Sequence, residues 1–81
     1  MNVQVKLFAV AKQLVGSEIA SVELPAEPTV ADLRTALARD FPALSVTLAS
    51  VVFAVNAEYA TDQTRLSTTD EIACIPPVSG G

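Results

Sequence analysis

The chain has 81 residues, 51% hydrophobic and 17% charged, a balance that suits one small globular domain and leaves no room for a second core. Its five cations, Lys6, Lys12, Arg34, Arg39 and Arg65, are scattered and outnumbered by nine carboxylates, so at a net charge of −4 no phosphate-binding stripe forms and nucleic acid is not an expected partner. With no His and one Cys, the chain lacks the usual general base for a nucleophile, the commonest nitrogen ligand of zinc, and any internal disulfide.

From the N-terminus, residues 2–8 read as a strand, because Val3, Val5 and Leu7 alternate with Asn2, Gln4 and Lys6. The same alternation is unlike the unbroken apolar core of a signal peptide, and no apolar run nears the ~20 residues that span a bilayer. A soluble cytoplasmic protein without a membrane partner is the expectation. Ala9 to Val15 suits a short helix closed by Gly16. Residues 18–24 suit a second strand, with Ala20, Val22 and Leu24 on one face and Pro25 closing it. The short link to the first strand favours antiparallel pairing.

The strongest helix signal runs from Pro28 to Asp40. Thr29 caps it, with Asp32 three residues on as the acid of a capping box. Val30, Leu33 and Leu37 form the stripe that lies on a sheet, and Pro42 stops the run. Arg39 falls near the negative end of the helix dipole, and both Arg34 and Arg39 are expected on a solvated helix face.

Residues 43–50 read as a short irregular or helical connection. Val51 to Val55 is β-rich and nearly all apolar, which predicts a strand buried on both sides. Asn56-Ala57 offers a turn, since Asn tolerates left-handed backbone angles, and Glu58 to Ala60 suits a brief edge strand. Glu71 to Ile75 is the last strand, where Cys74 fits as a small core residue rather than a reactive thiol. Two strands, a covering helix and a return to the sheet predict a two-layer α+β domain over 1–77, with a mixed sheet of four to five strands.

Pro76-Pro77 ends that strand, because proline supplies no backbone donor and favours an extended path. Val78, Ser79, Gly80 and Gly81 then read as a flexible tail whose glycine carboxylate, free of a side chain, could pass through a narrow channel into another protein's active site.

Together these segments resemble the ubiquitin-like β-grasp sulfur carriers, most closely the small subunit of molybdopterin synthase. The resemblance rests on Leu7-Phe8-Ala9 with Leu14-Val15-Gly16, Pro28 to Leu33, Ala54-Val55-Asn56, Asp70 to Ala73, and the Pro76-Pro77-Val78-Ser79-Gly80-Gly81 ending. It implies that an adenylating enzyme of the ubiquitin-activating type uses ATP on the Gly81 carboxylate. A persulfide donor then supplies sulfur, leaving a thiocarboxylate. The tail, Pro76 to Gly80 leading to Gly81, enters a large subunit, in a heterotetramer of two small and two large chains. There the sulfur builds the molybdopterin dithiolene from cyclic pyranopterin monophosphate. The small chain binds no cofactor and is not an enzyme on its own.

Two departures accompany the resemblance. Thr68-Thr69 stands where Asp-Gly is frequent, and a positive φ there would strain Thr. Ile75 stands where an aromatic residue is frequent. Phe8 and Ile75 are candidate members of a docking patch, each equally suited to ordinary core burial. A carrier for thiazole synthesis, a ubiquitin-like protein modifier, and a plain interaction domain are the alternatives.

Overall fold

A computed structural model describes residues 1–77. In chain order it contains β1 (Asn2–Leu7), α1 (Ala9–Val15), β2 (Ile19–Glu23), α2 (Val30–Asp40), a 3₁₀ turn (Pro42–Leu44), α3 (Ser45–Leu48), β3 (Val52–Val55), β4 (Glu58–Tyr59) and β5 (Ile72–Ile75). The five strands form one mixed sheet in the order β2-β1-β5-β3-β4. β1 pairs antiparallel with β2 and parallel with β5, while β3 pairs antiparallel with both β5 and β4. The ambiguous stretch 43–50 is helical for most of its length.

One core fills the space between the sheet and α2. Val3, Val5 and Leu7 from β1, Ala20 and Val22 from β2, Phe53 from β3, and Ile72 and Cys74 from β5 meet Val30, Leu33, Ala36 and Leu37 from α2. The period-2 strands and the helical stripe therefore bury the faces their spacing predicts. Each fully buried Leu or Phe contributes roughly 2–3 kcal/mol relative to exposure. The α2 cap is a complete capping box: Thr29 Oγ1 accepts from the Asp32 backbone N–H at 3.4 Å, and the Thr29 N–H donates to Asp32 Oδ2 at 2.9 Å.

Two expectations are corrected by the packing. Val51 to Val55 is not buried throughout on both sides: Val51 and Phe53 face the core, whereas on the opposite face Ala54 is buried but Val52 is 41% exposed, because no layer among the described residues covers that side of the sheet. Arg34 is not a solvated helix residue. Its Nε donates to Asp62 Oδ1 at 2.8 Å, its Nη1 donates to the Leu48 carbonyl at 2.6 Å, and its guanidinium lies 5.0 Å from the Phe53 ring centroid. The long side chain thereby ties α2 to α3 and to the loop after β4 while its charge stays near water. Arg39 is exposed as expected and pairs with its neighbour Asp40.

The chain turns tightly before and within this sheet. The β3–β4 hairpin has positive φ at both central residues, Asn56 (53°) and Ala57 (68°), as a two-residue hairpin turn of matching twist requires. The turn from Ser67 to Asp70 closes with the Asp70 N–H donating to the Ser67 carbonyl at 3.1 Å, and Thr68 and Thr69 both keep negative φ. The turn is therefore one that Thr accepts without strain.

Candidate functional site

β5 is the central strand, hydrogen-bonded on both sides, so the chain that follows it leaves from the middle of the sheet. Its register pairs Val5 with Ile72 and Leu7 with Cys74 on one side, and Val52 with Ile75 on the other. Pro76 is buried at the sheet's end and Pro77 is exposed. Lacking N–H donors, they end the ladder and give the emerging chain a stiff root. Of the proposed tail residues, Pro76 and Pro77 are placed here; Val78, Ser79, Gly80 and Gly81 lie outside the described residues.

An apolar surface flanks this root. The open face of the sheet carries a row from Ile19 through Lys6, Ala73 and Ala54 to Tyr59, read across β2, β1, β5, β3 and β4. The small Ala73 and Ala54 make the row shallow at its centre. Beside it, Val52, Tyr59, Ile75, Pro76 and Pro77 line one hollow, with Tyr59 80% exposed. Phe8, 46% exposed at the end of β1, borders a second hollow with Lys6, Lys12, Glu18 and Ile19. Lys12 and Glu18 pair there at 3.2 Å. Phe8 and Ile75 thus belong to the surface rather than the core, Ile75 being half-buried.

Val52 and Tyr59 were not singled out by sequence reasoning. Tyr59 offered the only signal, as an aromatic residue in a two-residue edge strand that cannot bury it.

Burial pushes the Cys74 thiol up from its ordinary 9.0 to about 11, with the nearby Arg34 charge opposing only in part, so the thiolate is scarce at neutral pH. No group of three or more His, Cys, Asp or Glu is placed to hold a metal among the described residues. No helix there is long and apolar enough to cross a membrane. What the geometry offers is an exposed apolar surface beside Pro76 and Pro77.

Comparison with known proteins settles the family. The model of the ThiS family matches residues 5–81. The chain belongs to the ThiS family. Among curated relatives, the molybdopterin synthase sulfur carrier subunit of Caenorhabditis briggsae is 42% identical over 83 aligned positions, covering 100% of this chain and 99% of that protein. Its counterpart in Arabidopsis thaliana is 37% identical over 81 residues, covering 100% of this chain and 84% of that protein. Among solved structures, SAMP1 of Haloferax volcanii superposes with a TM-score of 0.85 at 31% identity and full coverage of both chains. The fold is accordingly the ubiquitin-like β-grasp of this family's sulfur carriers.

Proposed function

We propose that this chain is the sulfur-carrying small subunit of a molybdopterin synthase, not an enzyme by itself. The observation that carries the proposal is the exit of Pro76-Pro77 from the central strand into an apolar surface of Val52, Tyr59 and Ile75. Full-length similarity to proteins named molybdopterin synthase sulfur carrier subunits supports it. On this reading the surface docks the large subunit while the tail delivers Gly81 into that subunit's active site. A short tail alone offers too little contact for a stable complex, and specific interfaces bury upward of ~1,000 Å². The assembly is two small and two large chains.

The chemistry resides at the Gly81 carboxylate. A carboxylate is a poor acyl donor, so an adenylating enzyme activates it: its oxygen attacks the α-phosphorus of ATP and pyrophosphate leaves. Persulfide sulfur then displaces AMP, and cleavage of the S–S bond by a thiol leaves the thiocarboxylate. That sulfur attacks cyclic pyranopterin monophosphate in the large subunit, and two carriers in turn complete the dithiolene. ATP serves the activating enzyme, and the carrier itself holds no cofactor. Acid–base catalysis comes from the large subunit, consistent with the absence of His in this chain.

The test is the intact mass of the chain after incubation with ATP, an adenylating enzyme and a persulfide donor. Exchange of one oxygen for one sulfur, mapped to Gly81, is the expected result. An unchanged mass with an enzyme and donor proven active on another carrier overturns the proposal. The likeness to SAMP1, a small archaeal modifier protein, supports a second reading in which Gly81 is joined to lysines of other proteins. Higher-mass conjugates on a blot against this chain distinguish it, since sulfur transfer alone makes none.

A further inference from the structure

The root of the tail has a second apolar flank. On the side away from the sheet's open face, Ala9 and Val10 of α1, Val46 and Thr47 of α3, Ser50, and the same Pro76 and Pro77 line a separate groove. Val46 is 86% exposed and Val10 is 40% exposed, with Leu14 a turn further along α1 also open. None of the groove's seven lining residues is charged, on a chain whose net charge is −4. The exposed Pro77, seated on the buried Pro76, therefore forms a ridge with an apolar hollow on each side.

We propose that this groove holds an uncharged apolar segment of the large subunit that receives the tail, so that one partner grips the proline ridge from both sides. The inference rests on the carrier reading and extends it to a surface outside the sheet. Four residues separate Pro77 from the carboxylate of Gly81, and fully extended they reach at most about 14 Å. A partner that encloses the whole of that short segment down to the carboxylate therefore lies close against Pro77. A specific interface takes about 800 Å² from each partner, equivalent to a disc of roughly 16 Å radius. Centred on the ridge, such a footprint covers both hollows. Val46, an aliphatic side chain standing almost wholly in water, gains most from being covered.

The experiment measures the affinity of this chain for the large subunit of molybdopterin synthase. Val46→Glu and Val10→Glu place a carboxylate in the groove, with Thr68→Glu in the turn at the far end of β5 as control. Each Glu variant in the groove is expected to raise Kd about tenfold or more, because an unpaired charge resists burial. Thr68→Glu is expected to leave Kd unchanged. Because Val46 is so exposed, its variant is expected to melt with the wild type, which separates binding from folding. Wild-type affinity in both groove variants overturns the proposal and leaves the carrier reading intact. Failure of the wild-type chain itself to bind overturns both. A wild-type dimer in solution that Val46→Glu makes monomeric assigns the groove to a second copy, which also overturns the proposal.

Discussion

Replacing Asn56 with Ala should destabilise the fold measurably although the side chain is exposed. The amide of Asn56 closes the β3–β4 hairpin onto the start of β5: its Nδ2 donates to Asp70 Oδ1 at 2.9 Å, and its Oδ1 accepts from the Glu71 N–H at 2.9 Å. Asp70 Oδ2 also accepts from the Ser67 N–H at 2.8 Å, so the amide, the turn before β5 and the strand form one network. Two solvent-accessible hydrogen bonds contribute about 1–1.5 kcal/mol together, at the low end for each because water replaces the lost partners. Asn also holds φ at 53°, where Ala is strained by roughly another 0.5–1 kcal/mol. The loss is therefore about 2 kcal/mol, which for a domain of this size lowers Tm by roughly 8–16 °C. Thermal unfolding followed by circular dichroism reads it directly. Asn56→Gly separates the two causes, since Gly accepts the backbone angle but makes neither bond; it should recover part of the loss. Ala57→Gly, next door at φ 68°, should raise stability by about 0.5–1 kcal/mol. A Tm for Asn56→Ala within about 2 °C of wild type would refute the reasoning.

Cys74 makes stability fall at alkaline pH. Its thiol is held at about 11 in the fold against 9.0 ordinarily, so the neutral form's contribution is complete below pH 9.0 and is lost as pH rises toward about 11. Cys74→Ala should change stability by a nearly constant amount below pH 9.0 and remove this part of the slope between pH 9.0 and about 11; curves that stay parallel through that window would show that the thiol does not titrate in this way. Iodoacetamide should leave Cys74 unmodified in the folded chain at neutral pH. At the tail, Gly80→Leu should leave Tm unchanged and abolish sulfur delivery, because a side chain beside Gly81 closes a narrow channel. Normal transfer from Gly80→Leu, in single turnover with thiocarboxylated carrier and large subunit, would exclude a tight channel.

Much of the site was written locally. Pro76-Pro77 marks the end of β5 locally, because proline's missing donor acts within its own residue. The alternation of β1 and the Thr29–Asp32 box with its Val30, Leu33, Leu37 stripe define their elements by contacts no more than seven residues apart. The exposed apolar surface beside Pro76 was not written in this way. Phe8 and Ile75 were equally compatible with core or surface, and Val52, inside a run of apolar residues, read as buried. Val52 becomes surface only because β3 lies beside β5 with nothing among the described residues covering that face, and it meets Ile75 across the sheet from 23 positions earlier in the chain. Arg34 likewise turns inward only because Leu48 and Asp62 arrive within its reach.

Periodicity, capping and backbone angles are short-range properties, so the five strands, the capped helix α2, the turn at Asn56 and the end of β5 at Pro76-Pro77 are legible residue by residue. Tertiary structure alone decided that β5 lies between β1 and β3, and hence that Val52, Tyr59 and Ile75 share one face beside Pro76-Pro77. The physical reason is that strand neighbours are chosen by burying the whole core at once. A surface assembled from three strands is therefore not spelled out in any one of them, beyond the aromatic Tyr59 in a short edge strand and the apolar Ile75 at the end of β5.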